Sequence, residues 1–312
     1  KLDPVLSRRL RALGQLSERT GGQSQHQNQG FHAEQHIAPE RLSRIMVPAK
    51  FSGMKRAPAV FFSHGSPLTV LDRGEYAQSL AAFGRHIAAA RGILILSAHW
   101  QTAPGILLTR WDSAPLIHDF SGFPPELSRI QYPAVGNPEL ADEAAQHLRD
   151  AGFSPSFEEH RGLDHGAWIP LALALPEARI PVVQLSLPRA TPPNEVYTLG
   201  ATLRPLRESG VVLAASGGIT HNLGLALRNA LDAPPEPWAV EFDQWVYSQL
   251  EGRRFTNLMQ YATQAPHAAL AVPSPEHFSP LFFTLGAAYQ HDALHTIFRG
   301  TEYGNLSMSS YS

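Results

Sequence analysis

The chain has 312 residues, 43% of them hydrophobic and 17% charged, the balance of a globular protein in water. Its 25 basic and 27 acidic residues leave a formal net charge of -2, which offers no electrostatic footprint for nucleic acid or an anionic membrane surface. It contains no cysteine. Disulfides, thiolate zinc sites, iron–sulfur clusters and a cysteine nucleophile are therefore excluded, and a cysteine-free chain is at home in the cytoplasm.

Residues 1–55 read as a flexible N-terminal extension. Leu6, Leu10 and Leu13 fall on one turn-spaced face, but residues 21–36 (GGQSQHQNQGFHAEQH) are polar and low in complexity, and their His26, His32 and His36 read as part of a solvated tail. The extension lacks a signal-peptide apolar core, and no apolar run in the chain approaches the roughly 20 residues that span a bilayer. The folded body is expected over residues 56–312. It opens on AVFFS (59–63), a buried strand running into HGSP. A helix is predicted over 75–90, strands over GILILSAHW (92–100) and ILLTR (106–110), and a helix over PELADEAAQHLRD (138–150), with Pro138 at its start and Gly152 past its end. PVVQLSL (181–187) reads as a strand, 194–208 as a helix and GVVLAASGG (210–218) as a further strand. Trp238, Phe242, Trp245, Val246 and Leu250 form one helix face of core residues, and a last buried helix is expected over 280–288. Apolar β-rich runs alternating with helices argue for an α/β protein with one central sheet. No G-x-G-x-x-G follows the first strand, and there is no P-loop or G-x-S-x-G elbow.

Fifteen histidines stand against zero cysteines. Four of them lie where function sits in an α/β fold, near the carboxyl ends of strands or in adjoining loops. His64 follows AVFFS, His99 follows ILILSA, His221 follows VVLAASGGIT, and His165 lies in the loop Leu163-Asp164-His165-Gly166. A fifth, His277, opens an apolar segment after Pro275-Glu276. Neutral imidazole is the commonest protein metal ligand, and the small neighbours Gly65, Ser66, Gly166, Gly217 and Gly218 permit close approach. Asp164 and Glu276 are candidate extra ligands or proton partners. A lone histidine at a strand end is more often a hydrogen-bonded structural residue, and His86, His147, His160, His267, His291 and His295 are read that way. His64, His99 and His221 together are read as a metal-binding set.

The stretches FFSHGSPLTVL, ILILSAHWQT, IHDFSGFPPELSRIQYPAVGNPELA, GLDHGAWIPL, IPVVQLSL, ASGGITHNLG and PSPEHFSPLFFTLGAA occur in that order. Over roughly residues 58–309 the chain resembles the class III extradiol ring-cleaving dioxygenases, and within them the DOPA 4,5-dioxygenase-type subgroup. The resemblance implies a single α/β domain with a central mixed β-sheet flanked by helices and a metal site at the strand carboxyl ends. It implies a mononuclear non-haem Fe(II) site, with Zn(II) able to occupy the same place, that opens a catechol ring beside its hydroxyls using O2. By motif, His64 and His99 are metal ligands. The third ligand falls in the Glu276-His277 pair, with His277 favoured. His221 takes the acid/base position and reaches the metal in zinc-bound forms, and His165 contacts substrate. The implied partners are a small catechol and O2, with no nucleic acid or membrane, in a monomer or homodimer. Two other readings remain at this level: a zinc-dependent hydrolase on the same scaffold, and a non-enzymatic metal-binding or scaffold relative.

Overall fold

Four apolar residues at 59–62, two of them phenylalanines, demand burial on both faces, and they receive it inside a sheet. The computed structural model describes residues 56–103, 105–113 and 115–312, so the expected extension over 1–55 lies outside the described residues. Strand β1 (Ala59–Ser63) pairs in parallel with β6 (Val211–Gly217), which pairs in parallel with β2 (Gly92–Thr102), and β2 in turn with β5 (Val182–Pro188). Beyond β5 the sheet continues through β3 (Ile106–Thr109), antiparallel to β5, and β4 (Pro155–Glu158), parallel to β3. On the other side β10 (Ser310–Tyr311) runs antiparallel to β1 and is followed by β7 (Thr296–Phe298). The result is an eight-stranded mixed sheet, order β4-β3-β5-β2-β6-β1-β10-β7, with a separate ribbon of β8 (Thr301–Glu302) and β9 (Leu306–Ser307).

Alternation along each strand feeds two cores. Phe61, Leu94, Leu96, Leu185 and Leu213 pack on one face. That face is covered by α2 (Pro138–Asp150), α4 (Pro193–Leu203), α5 (Pro237–Glu251) and α6 (Ser279–Ala287). Val60, Phe62, Ile93, Ile95 and Val212 pack on the other, beneath α1 (Glu75–Ile87) and α3 (His165–Ala174). Phe61 and Phe62 are fully buried on opposite faces, so truncating either to Ala costs about 3–5 kcal/mol. No helix among the described residues is long and apolar enough to cross a membrane.

The predicted elements are present, with three differences. The helix expected over 194–208 ends as α-helix at Leu203 and tightens to 3-10 geometry over Arg204–Ser209, where Pro205 lacks the N–H an α-turn needs. His165, expected in a loop, is the first residue of α3, whose N-cap Asp164 accepts from the Ala167 N–H at 3.2 Å. That helix is buried on nearly every side, so it carries no polar stripe to read. The C-terminal β7 and β10, of three and two residues, are too short to show a period.

Candidate metal centre

The site is built by three parallel strands ending side by side. β2 outruns its neighbour: its last pair with β6 is Ser97↔Ser216, so His99, two residues on and on the same side as Ser97, rises above the end of β6. His64 follows β1 directly, and its backbone N–H donates to Gly217 O at 3.1 Å. Gly65, at φ +63, turns the chain away in the left-handed region. His277 comes from far along the sequence but is held against the same strand end: the Gly218 N–H donates to its carbonyl at 2.9 Å. A Cβ on Gly217 would stand 2.0 Å from that carbonyl oxygen, so only glycine lets the His277 loop sit this close.

The Nε2 atoms of His64 and His99 lie 3.1 Å apart, and those of His99 and His277 lie 3.3 Å apart. Two nitrogens each at about 2.0–2.1 Å from one ion are separated by roughly 2.9–3.4 Å in octahedral-cis or tetrahedral geometry, so these spacings fit a shared ion. Two Nδ1 atoms of the trio have hydrogen-bond partners that turn Nε2 inward, Ser216 Oγ at 2.9 Å for His64 and Glu276 Oε1 at 3.0 Å for His277, while His99 Nδ1 faces Asp119 Oδ2 at the longer distance of 3.5 Å. Orientation of the second ring nitrogen by a hydroxyl or carboxylate is the habit of metal-bound imidazoles. Glu276 thus lies behind His277, on its Nδ1.

His165 completes the ring of imidazoles. Its centroid is 3.9 Å from that of His99 and 5.5 Å from that of His64, and Asp119 Oδ1 takes both its Nδ1 (2.8 Å) and its backbone N–H (3.0 Å). Asp164 is not its partner. It is fully buried and accepts from Ser97 Oγ (2.6 Å), Gln184 Nε2 (2.5 Å) and Arg161 Nη2 (3.2 Å), bracing the base of β2 and α3. His221 stacks on His277, ring centroids 3.4 Å apart and planes 8° from parallel. Side-chain donor atoms of His64, His99 and His165 lie within 4.8 Å of one another, as do those of His221, Glu276 and His277. All five histidines singled out in the sequence therefore meet at one place. Four of the six read as structural, His160, His267, His291 and His295, are exposed, and His86 and His147 are half-buried on helices. Asp119 and Ser216 were not singled out; the acidic residue in IHDFSGFP, flanked by His118 and Phe120, is the signal for the first.

Burial, reinforced by the neighbouring imidazoles, holds His64 and His277 well below the ordinary histidine range and brings His99 and His221 down to about 4. Burial pushes the Asp119 carboxyl up, but its hydrogen bonds and charge contact with His165 outweigh this and hold it at about 2. His64, His99, His221 and His277 are held as neutral imidazoles, the protonation state in which histidine binds a metal.

A mixed α/β sheet with convergent, neutral, back-braced imidazoles above its central parallel strands defines the class: a candidate mononuclear metal centre on an α/β scaffold. Residues 58–309 match the family described as the catalytic LigB subunit of aromatic ring-opening dioxygenase. The chain is 37% identical over 261 residues to a 4,5-DOPA dioxygenase extradiol of Beta vulgaris, covering 80% of this chain and 94% of that one. It is 36% identical over 257 residues to the protein of the same name from Escherichia coli strain K12, covering 82% and 94%. The crystal structure of an uncharacterized protein from Escherichia coli K12 superposes with a TM-score of 0.70 at 32% identity, covering 82% of this chain and 99% of that one. The chain belongs to the LigB family of aromatic ring-opening dioxygenases, whose members are metal-dependent. It is an extradiol dioxygenase, an enzyme of catechol ring cleavage rather than a hydrolase or a scaffold.

Proposed function

We propose that this enzyme opens a DOPA-like catechol with O2 at one Fe(II) held by His64, His99 and His277. The observation that carries this reading is the approach of the three Nε2 atoms at 3.1 and 3.3 Å, with His64 and His277 hydrogen-bonded through Nδ1 and His99 Nδ1 facing the Asp119 carboxylate. The DOPA-like substrate rests on the two relatives named 4,5-DOPA dioxygenase extradiol. Three protein ligands leave positions for substrate and O2, which suits iron better than a closed structural zinc site, although Zn(II) fits the same imidazoles.

The metal supplies electron transfer between the ring and O2; the chain's own residues do the rest. His221, neutral because it is buried among other imidazoles, accepts a catechol hydroxyl proton and returns it as the ring opens. His165, fixed through Nδ1 by Asp119, presents Nε2 to a substrate oxygen. Phe120, edge-on to His165 with centroids 5.7 Å apart, supplies an apolar wall beside it.

Anaerobic reconstitution with Fe(II), followed by oxygen uptake and the yellow ring-fission product across a panel of catechols, tests the proposal. The expected result is Fe(II)-dependent oxygen consumption matched by product, greatest with DOPA-like catechols. Equal turnover of metal-free and Fe(II)-loaded protein would overturn it.

A further inference from the structure

Among the described residues, one carboxylate reaches two of the site's imidazoles at once. Asp119 Oδ1 lies 2.8 Å from His165 Nδ1 and 3.0 Å from the His165 backbone nitrogen, while Oδ2 lies 3.5 Å from His99 Nδ1. The segment that carries it is registered on the segment that carries His165. The Ile117 N–H donates to Leu163 O at 2.7 Å and the Leu163 N–H to Pro115 O at 3.2 Å, and Trp168 Nε1 donates to Ile117 O at 3.2 Å. Asp119 is thus set by backbone pairing, and its two oxygens face two rings whose centroids are 3.9 Å apart. The other braces, Ser216 and Glu276, each serve a single ring.

We propose that Asp119 is the positioning residue that joins metal binding to substrate recognition, fixing His99 and His165 in the Nδ1–H form so that both Nε2 atoms face the same space. This rests on the assignment of His99 as a ligand and His165 as a substrate contact. A carboxylate offers only acceptors, so it selects Nδ1–H on both rings; an amide in its place offers an oxygen to one ring and an NH2 to the other. Asp119→Asn is therefore expected to keep the acceptor for His165 while setting donor against donor at His99. Asp119→Ala removes both acceptors.

Two measurements decide it. In the metal-free protein, long-range ¹⁵N–¹H spectra of the histidine rings report each tautomer. The native protein should show Nδ1–H on His99 and His165; Asp119→Ala should lose this preference at both, and Asp119→Asn at His99 alone. Zn(II) affinity by chelator competition should fall about 10–100-fold in Asp119→Ala, the usual cost of losing such an orienting group. Asp119→Glu should recover part of it. At saturating Fe(II), Asp119→Ala should also show lower kcat and higher catechol KM. Native tautomers and native Zn(II) affinity in a folded Asp119→Ala protein would overturn the proposal. Should that variant fail to fold, the isosteric Asp119→Asn decides by the same two measurements. His64→Ala is the control for the underlying reading. If His64→Ala binds Zn(II) natively while the Asp119 variants still change the ring tautomers, the metal assignment falls and the positioning role of Asp119 stands.

Discussion

The two ends of the central sheet carry histidines in opposite ways. At the amino end a cavity of about 370 Å³ is lined by His86, His291 and His295 together with Arg56, Arg207 and Arg253. Its cations are committed to the fold. Arg207 donates to Ala57 O, Ala287 O and Asp292 Oδ2, and Arg253 to Tyr289 O and Asp292 O. At the carboxyl end five imidazoles face one another, with their Nδ1 atoms largely taken and their Nε2 atoms crowded together. The amino end has a cavity whose cations are tied to the backbone; the carboxyl end has convergence. Donors turned toward a common point distinguish a place built for a ligand from a place where chain ends are tied down.

The sharpest way to break that contrast is to remove convergence. His64→Ala, His99→Ala and His277→Ala should each lose stoichiometric iron and fall to background oxygen uptake, read by metal analysis beside an oxygen electrode. Full iron occupancy in any of the three removes that residue from the ligand set. Next in size come His221→Ala and His165→Ala. These should keep much of their iron yet lose about 10²–10⁴-fold in turnover, the usual contribution of acid–base groups. If His221→Ala instead strips the metal as His64→Ala does, His221 is a ligand. Native turnover in both variants would exclude the roles assigned to them.

Acid should find the carboxyl end first. His99 and His221 sit near 4 in the folded protein, against about 6.5 in an unfolded chain. Between those values the unfolded state binds protons the folded state refuses, so stability rises with pH across the window. In the metal-free protein the contribution of these two rings should therefore be full above about pH 6.5 and be lost steadily toward pH 4, followed by urea melts at each pH. Saturating metal should push that loss to lower pH, because protons and metal compete for the same nitrogens. Burial raises the Glu302 carboxyl to about 7, which works in the opposite sense over the same window, so in Glu302→Gln protein a metal-free stability that is flat from pH 7 to pH 4.5 would show that these rings are not held neutral.

The strands were legible because burial on both faces leaves continuous apolar runs such as AVFFS and ILILS, and His64, His99 and His221 were legible because they come at or just past the ends of such runs. Helix α2 was legible to the residue, with Pro138 at its start and Gly152 past its end both standing in the sequence. What could not be read is whatever depends on a partner distant in the chain. Asp119 reaches His165 across 46 residues, and His277 meets His99 across 178. Periodicity carries no information on such pairings. For the same reason Asp164 was placed beside His165 by adjacency, whereas at a helix start its carboxylate turns back to cap the first turn and is taken by Ser97 and Gln184.

The smallest effect on chemistry, and the complement of the first prediction, belongs to the amino end. Arg207 is buried, its guanidinium ties Ala57 before β1 to Ala287 at the end of α6, and it pairs with Asp292 at 2.6 Å. Arg207→Ala takes the guanidinium from two carbonyls and from Asp292, which keeps the Tyr289 N–H at 2.8 Å and Arg56 at 3.7 Å, a loss of about 3 kcal/mol. A loss of that size should lower the melting temperature by several degrees and reduce the yield of folded protein. None of these groups touches an imidazole of the site, and β1 separates the two ends, so iron content and kcat per folded molecule should match the native enzyme. Arg207→Lys should recover only part of the stability, because an ammonium cannot reach three acceptors that a planar fork spans. A fall in kcat in folded, iron-loaded Arg207→Ala would mean that the two ends are coupled through β1, and that the separation drawn here between anchoring and chemistry is wrong.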